Sequence, residues 1–208
     1  MGLLKNFFSQ TRKPEGFLGK LMVNGMNSGH AKLGDWGMER LPSKEVKNAI
    51  DLGCGGGRNV EKLMERYKDA FVIGADYSEL SVETSRKHNA EAIKNGRCQI
   101  IQADVSDLKL DADSFDLATA FETIYFWPGL EKCFKEVNRV LKQGGHFLIV
   151  NESDGLDQTS KKFEKIIDGM KAYTQEEIIS ALEKAGFTVQ LAEHHPKNPW
   201  LRILAIKK

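Results

Sequence analysis

The chain has 208 residues, 41% hydrophobic and 28% charged, with a formal net charge of +1. A length of this order suits one domain with a substantial core. The near-balanced charge gives no global field for nucleic acid or an anionic membrane, and no apolar stretch approaches transmembrane length.

Residues 1–45 stand apart from the rest. Leu3, Leu4, Phe7 and Phe8, then Phe17, Leu18, Leu21 and Met22, repeat an i, i+1, i+4, i+5 spacing. That spacing predicts two short amphipathic helices, packed on the body of the protein or closing over a site as a lid. The opening stretch to Phe8 is too short and polar-interrupted for a secretory signal, and Asn6 fits a myristoylation pattern poorly. The turn-rich stretch 25–36 carries His30 and Trp36 and suits a loop over a ligand. His30 titrates near neutrality and is a candidate base, with a buried structural histidine as the alternative.

From residue 46 onward, apolar runs alternate with helical patterns. Candidate strands are 47–52, 70–76, 97–102, 115–121, 145–151, 187–193 and 200–206. Several, such as Phe147 to Val150, are continuously apolar, as strands of a mostly parallel sheet buried on both faces should be. Leu130, Phe134, Val137 and Leu141 recur at helical spacing. Thr174 and Glu177 form a capping box, Ile178, Ile179 and Leu182 supply a buried stripe, and Gly186 stops that helix. Gly144 and Gly145 turn the chain into the fifth strand. His194 to Pro199 is too short for a crossover helix, so the last two strands should form an antiparallel hairpin. The predicted fold is α/β, a doubly wound, mostly parallel sheet over residues 46–208 with residues 1–45 as a helical lid, one globular domain overall. Ligands in such folds sit beyond the carboxyl ends of the strands, where the strand order switches.

The most informative stretch is Ala49 to Asn59. Asp51 ends an apolar run, Gly53, Gly55, Gly56 and Gly57 follow, and a helical pattern opens near Asn59. Glycine lets a ligand approach the backbone closely, so such a turn forms a cradle at a helix N-terminus. Asp76 ends the next apolar run, and a carboxylate there suits a ribose diol. A dinucleotide frame beginning at Gly53 fails at Arg58, and one beginning at Gly55 fails at Val60. The acid followed by G-x-G-x-G instead resembles the first motif of class I S-adenosylmethionine-dependent methyltransferases.

Further motifs in correct order carry that resemblance: Asp104 after the third strand, Ser114 to Leu117 opening the fourth, Glu136 to Val150, Lys171 to Glu177, and Ala185 to Phe187. Gln143 stands where the family usually has proline. The likeness covers roughly residues 45–208 and is similar to the small-molecule type, the group containing quinone-biosynthesis enzymes. It implies a Rossmann-like methyltransferase fold of seven strands, with S-adenosyl-L-methionine as cofactor. It also implies cofactor contacts from Asp51, Gly53, Cys54, Gly55, Asn59, Asp76, Tyr77, Ser78, Asp104, Val105, Phe121 and Glu122. Asp51 would hold the amino end, Asp76 the ribose, Tyr77 the adenine face, and Asp104 with the Val105 N–H the adenine edge. Cys54, where family members often carry cysteine, would offer backbone contact and not a nucleophile.

Methyl transfer is an in-line displacement that needs alignment and exclusion of water, with a base only where the acceptor starts protonated. Glu122 and Tyr125, in the aromatic stretch after the fourth strand, are candidate catalytic residues beside His30. Trp127 could face the acceptor, and Glu152 is a further candidate base. His88, His194 and His195 make no metal pattern, so no metal is expected. Three widely spaced cysteines suit a reducing cytoplasm. The expected partner is a small-molecule methyl acceptor, without nucleic acid or stable membrane association. Alternatives are an RNA or protein methyltransferase, a cofactor-binding module without turnover, and a nicotinamide oxidoreductase.

Overall fold

The computed structural model describes residues 31–208; residues 1–30, which hold the two predicted helices and His30, lie outside the described residues. In chain order the elements are α1 (Ala31–Met38), β1 (Asn48–Leu52), α2 (Arg58–Arg66), β2 (Phe71–Asp76), α3 (Glu79–His88), α4 (Ala90–Lys94), β3 (Cys98–Gln102) and β4 (Phe115–Phe121). A 3-10 turn (Ile124–Phe126) leads to α5 (Leu130–Val140), β5 (Leu141–Asn151), α6 (Gln158–Ile166), α7 (Gln175–Lys184), β6 (Phe187–His194) and β7 (Leu201–Lys207). The strands form one seven-stranded sheet in the order β3-β2-β1-β4-β5-β7-β6. β7 runs antiparallel between β5 and β6, which is the expected hairpin. Strand order reverses between β1 and β4, so the crevice for a ligand opens above their carboxyl ends.

Both faces of the sheet are covered, which explains the continuously apolar strands. On one face Ile50, Leu52, Ala118, Phe147 and Ile149 pack against Phe134 and Val137 of α5 and against Ile178 and Leu182 of α7. On the other, Ala49, Val72, Leu117, Leu148 and Val150 meet α1, α2 and α3 through Leu33, Val60, Leu63 and Val82. Trp127 belongs to the first core. Its ring stacks on Phe147 at 6.4 Å and meets Phe134 edge-on at 5.9 Å. The expectation that it faces an acceptor is therefore corrected: aromatic surface of this size is worth more in a core than at a mouth.

The fifth strand begins earlier than its sequence predicts. β5 starts at Leu141, directly after α5, and the pair Gly144–Gly145 sits in a bulge. Phe115 pairs with Leu141 while Leu117 pairs with His146, so the extra residues loop out of the ladder. Lys44 Nζ donates to the Gly144 carbonyl there at 2.7 Å. At the same, amino-terminal edge Asp116 braces three strands. Its carboxylate accepts from the Lys47 and Asn48 N–H groups, each at 2.9 Å, and from Lys142 Nζ at 2.8 Å.

Residues 31–38 form a helix, where the sequence predicts part of a loop. α1 lies across the carboxyl ends of β4 and β5, and a Cβ on Gly37 would come within 2.4 Å of Val150 Cγ2 and 3.0 Å of Phe121 Cε1. Trp36 turns away from the crevice and covers the Arg202 guanidinium at 4.2 Å. Arg202 is 4% exposed; it pairs with Glu193 at 2.6 Å and Glu39 at 3.2 Å and donates to the Trp36 carbonyl. A buried guanidinium requires this many partners, because each charge taken from water costs several kcal/mol if left uncompensated.

Gly37→Val should lower unfolding stability by about 1–3 kcal/mol, since the added methyls meet strand side chains and not space. Urea denaturation measures this, and an unchanged midpoint would mean that α1 is not seated on β4 and β5.

Candidate active site

The turn after β1 is tied to the end of β2. The Gly53 and Cys54 N–H groups both donate to the Ala75 carbonyl, at 2.7 and 3.1 Å. The Gly55 N–H donates to Asp76 Oδ2 at 2.9 Å, and the Ser78 N–H donates to Asp76 Oδ1 at 2.8 Å. Two strand ends and a helix start thus converge on one carboxylate. Burial pushes the Asp76 carboxyl above its ordinary range, while the bonds from Ser78 and Gly55 hold it down.

Gly55 has φ +51, and among the described residues no atom beyond its chain neighbours lies within 4 Å of where its Cβ would be. Among those residues the position is therefore backbone without a covering side chain, flanked by acids. Asp51, on the β1 side, is 1% exposed. Thr119 of β4 donates its hydroxyl to Asp51 Oδ1 at 2.7 Å. Burial raises the Asp51 carboxyl to about 7, the Thr119 bond opposing the rise and the Asp76 charge adding to it. Cys54 lies in the same wall, 6% exposed, with Sγ 3.8 Å from Ser85 Oγ. Burial first, then the charges of Asp76 and Asp51, push its thiol well above its usual value. A thiol so placed is not a nucleophile at neutral pH.

The remaining predicted residues fall into distinct settings. Asn59 is half-buried under α1, its Oδ1 3.1 Å from the Cβ position of Gly34. The preceding Arg58 pairs with Asp35 of α1 at 2.6 Å. Tyr77 is 55% exposed at the rim. Ser78 is buried and caps α3 by accepting from the Ser81 N–H. Asp104 is exposed beyond β3 and accepts from the Ser106 N–H at 2.8 Å, while Val105 is buried. Phe121 is buried beneath Gly37.

Glu122 and Tyr125 are brought together. Glu122 sits at φ +61, a strained conformation for a side chain that is not glycine. Its N–H donates to the Val150 carbonyl at 2.9 Å, and its Oε1 accepts from the Glu152 N–H and, at 3.3 Å, from the Tyr125 hydroxyl. That hydroxyl accepts from the Ser153 N–H at 3.2 Å. Burial and the Glu122 charge hold the Tyr125 phenol well above its ordinary value, so it remains a hydrogen-bond donor. Glu152 is exposed and enters this network through its backbone.

The histidines lie elsewhere. His195 packs on Trp200 at 4.7 Å and Trp36 at 5.3 Å. His88 meets Glu61 Oε2 at 2.9 Å. Among the described residues, no His, Cys, Asp or Glu group is arranged to hold a metal ion. Sequence reasoning missed Thr119. Its signal was a lone hydroxyl in the apolar run Leu117 to Phe121, legible once β4 is placed beside β1 with Thr119 opposite Asp51.

Residues 50–149 match the family described as a methyltransferase domain. That match spans 100 of the 208 residues. Its sheet order and terminal hairpin are those of the Rossmann-like, class I S-adenosylmethionine-dependent methyltransferase fold. The sterol 4-C-methyltransferase strm-1 of Caenorhabditis elegans is 27% identical over 180 residues, covering 82% of this chain and 52% of that protein. The chain thus spans about half the length of the curated relatives it matches. Among solved structures, the complex of the Haloferax volcanii Trm112 methyltransferase activator with a proposed methyltransferase gives a TM-score of 0.81 at 20% identity, covering 89% of this chain and 93% of that one. Geranyl diphosphate C-methyltransferase from Streptomyces coelicolor A3(2), solved with Mg2+, geranyl diphosphate and S-adenosyl-L-homocysteine, gives 0.74 at 15% identity, covering 94% and 86%. At such identities these likenesses speak for the methyltransferase fold alone.

The three cysteines are buried and free. Burial raises Cys98 to about 11 and Cys133 to about 12. In the native protein at pH 8, a disulfide reagent such as DTNB should label none of them rapidly and should label all after denaturation. Rapid native labelling of Cys54 would contradict its placement in the wall.

Proposed function

We propose that this chain binds S-adenosyl-L-methionine across the turn between β1 and α2 and transfers its methyl group to a small-molecule acceptor. The observation that carries this reading is the open backbone at Gly55, between the buried Asp51 and the half-buried Asp76, at the switch in strand order. A Cβ-free surface beside carboxylates fits a ligand with an ammonium group and a ribose diol.

When bound, the sulfonium group supplies an electrophilic methyl that passes in line to the acceptor as sulfur loses its positive charge. The chain's own part is placement. Asp76, already oriented by two N–H groups, has lone pairs left for ribose hydroxyls. Asp51 takes the ammonium end. The exposed Tyr77 ring offers a stacking face for adenine, and Asp104 with the Val105 N–H lies at its edge. Gly53, Cys54, Asn59, Ser78 and Phe121 shape the pocket around these groups.

The Glu122–Tyr125 pair stands at the ends of β4 and β5, where an acceptor would meet the methyl group. With Oε1 already accepting from Tyr125 and Glu152, Glu122 braces the two strand ends. Tyr125, kept protonated, gives its one hydroxyl proton to Glu122 and holds that carboxylate in place; His30 stays the candidate base. α1 lies over the carboxyl ends of β4 and β5, in keeping with a reaction that must exclude water.

The small-molecule assignment rests on the sterol 4-C-methyltransferase relative named above. An apolar acceptor of that general class, methylated on carbon, is the favoured substrate. The free buried cysteines favour a reducing compartment such as the cytoplasm. Among the described residues, no helix is long and apolar enough to cross a membrane.

Calorimetric titration should give binding of S-adenosyl-L-methionine and S-adenosyl-L-homocysteine and none of NAD; tight NAD binding would overturn the reading. Asp76→Ala should weaken cofactor affinity by about 1–3 kcal/mol, or about 5- to 150-fold. Transfer of labelled methyl to a sterol or prenyl diphosphate panel tests the acceptor class, and transfer to RNA alone would reject it.

A further inference from the structure

Asp51 sits on the central strand with an uncharged neighbour on either side. In register it faces Gly74 of β2 and Thr119 of β4. Thr119 is fully buried, and its hydroxyl occupies Asp51 Oδ1. Among the described residues no other hydrogen bond and no cation reaches this carboxyl. The charged and titratable groups around it are few. β2 contributes Asp76, an acid of the same sign, and the turn contributes Cys54. α2 contributes Arg58, whose guanidinium is held by Asp35 of α1. β4 contributes only the Thr119 hydroxyl. An acid 1% exposed, with a second acid nearby and no cation, is built to carry a proton until a positive ligand arrives.

We propose that Thr119 is a positioning residue that holds Asp51 for the ammonium end of the cofactor, and that cofactor binding expels the Asp51 proton to solvent. The inference rests on the cofactor reading above and adds to it a proton exchange and a residue that sets its pH. The balance is simple. A neutral carboxylic acid and a ligand ammonium become a carboxylate–ammonium pair, and one proton leaves. No covalent bond of the ligand changes.

The sign follows from where the free acid titrates. The free carboxyl titrates at about 7, so it is mostly protonated at pH 6 and mostly ionised at pH 8. Only the ionised form pairs with the ammonium, so affinity rises with pH through this window. The Thr119 bond favours the ionised form, so removing it moves the window upward.

The experiment is isothermal titration of the full chain with S-adenosyl-L-homocysteine at pH 6 and pH 8, in buffers of different ionisation heat. Wild type should release about 0.9 proton at pH 6 and about 0.1 at pH 8, with affinity about tenfold weaker at the lower pH. Asp51→Asn should release none. Thr119→Val should shift the affinity profile to higher pH, and Thr119→Ser should restore it. A threonine that merely fills space would alter the melting temperature and leave that midpoint in place. Binding without proton release at pH 6, or an unmoved midpoint in Thr119→Val, would overturn the inference and leave the cofactor reading standing. Failure to bind at either pH would instead remove the cofactor reading itself.

Discussion

The Ala75 carbonyl is the point on which the crevice depends. It takes N–H groups from both Gly53 and Cys54, and the next residue, Asp76, takes that of Gly55. One strand end therefore dictates the path of three consecutive turn residues on its neighbour. Buried backbone donors must be satisfied, so the turn has little freedom to take another shape. The result is preorganisation. The open face at Gly55 exists before any ligand arrives, and its cost is met within the ladder between β1 and β2.

A second constraint governs the roof. α1 reaches the ends of β4 and β5 because Gly37 presents no side chain there, and it is held on two sides by charge. Arg58 holds Asp35 on the cradle side, and Arg202 holds the Trp36 carbonyl and Glu39 on the hairpin side. The exposed Arg58–Asp35 pair is worth little in stability by itself. The Arg202 cluster is different, because the guanidinium is sunk beneath Trp36 and has no water to fall back on.

Much of this architecture was legible in the sequence, for a definite reason. Strands buried on both faces are apolar throughout, so Phe147 to Val150 or Val72 to Ala75 can hardly be read otherwise. The Thr174–Glu177 capping box is equally local and forms as its spacing predicts. Features that depend on distant partners were hidden. The stretch from Phe121 to Trp127 reads as one aromatic patch. The left-handed Glu122 and the 3-10 turn split it, leaving Tyr125 at the strand ends and Trp127 in the core. Trp36 looked like a loop residue because its partner, Arg202, lies 166 positions away. Strand β5 begins early because a bulge is a property of pairing, not of composition. The acids at 51, 76 and 104 were visible as residues, but the near-neutral carboxyl of Asp51 follows from its burial, with Asp76 adding to it, between strands that are far apart in sequence.

The network around Glu122 has a mechanical meaning. A residue held at positive φ, with its carboxylate clasping the backbone of the neighbouring strand, is a latch under tension. The clasp holds the residue in a conformation that a side chain other than glycine does not favour alone. An acceptor that competed for the Glu122 oxygens would loosen the seam between β4 and β5 at their upper ends. Entry of a substrate and the spacing of the two strands become a single coordinate, so the pocket could widen without any helix leaving its seat.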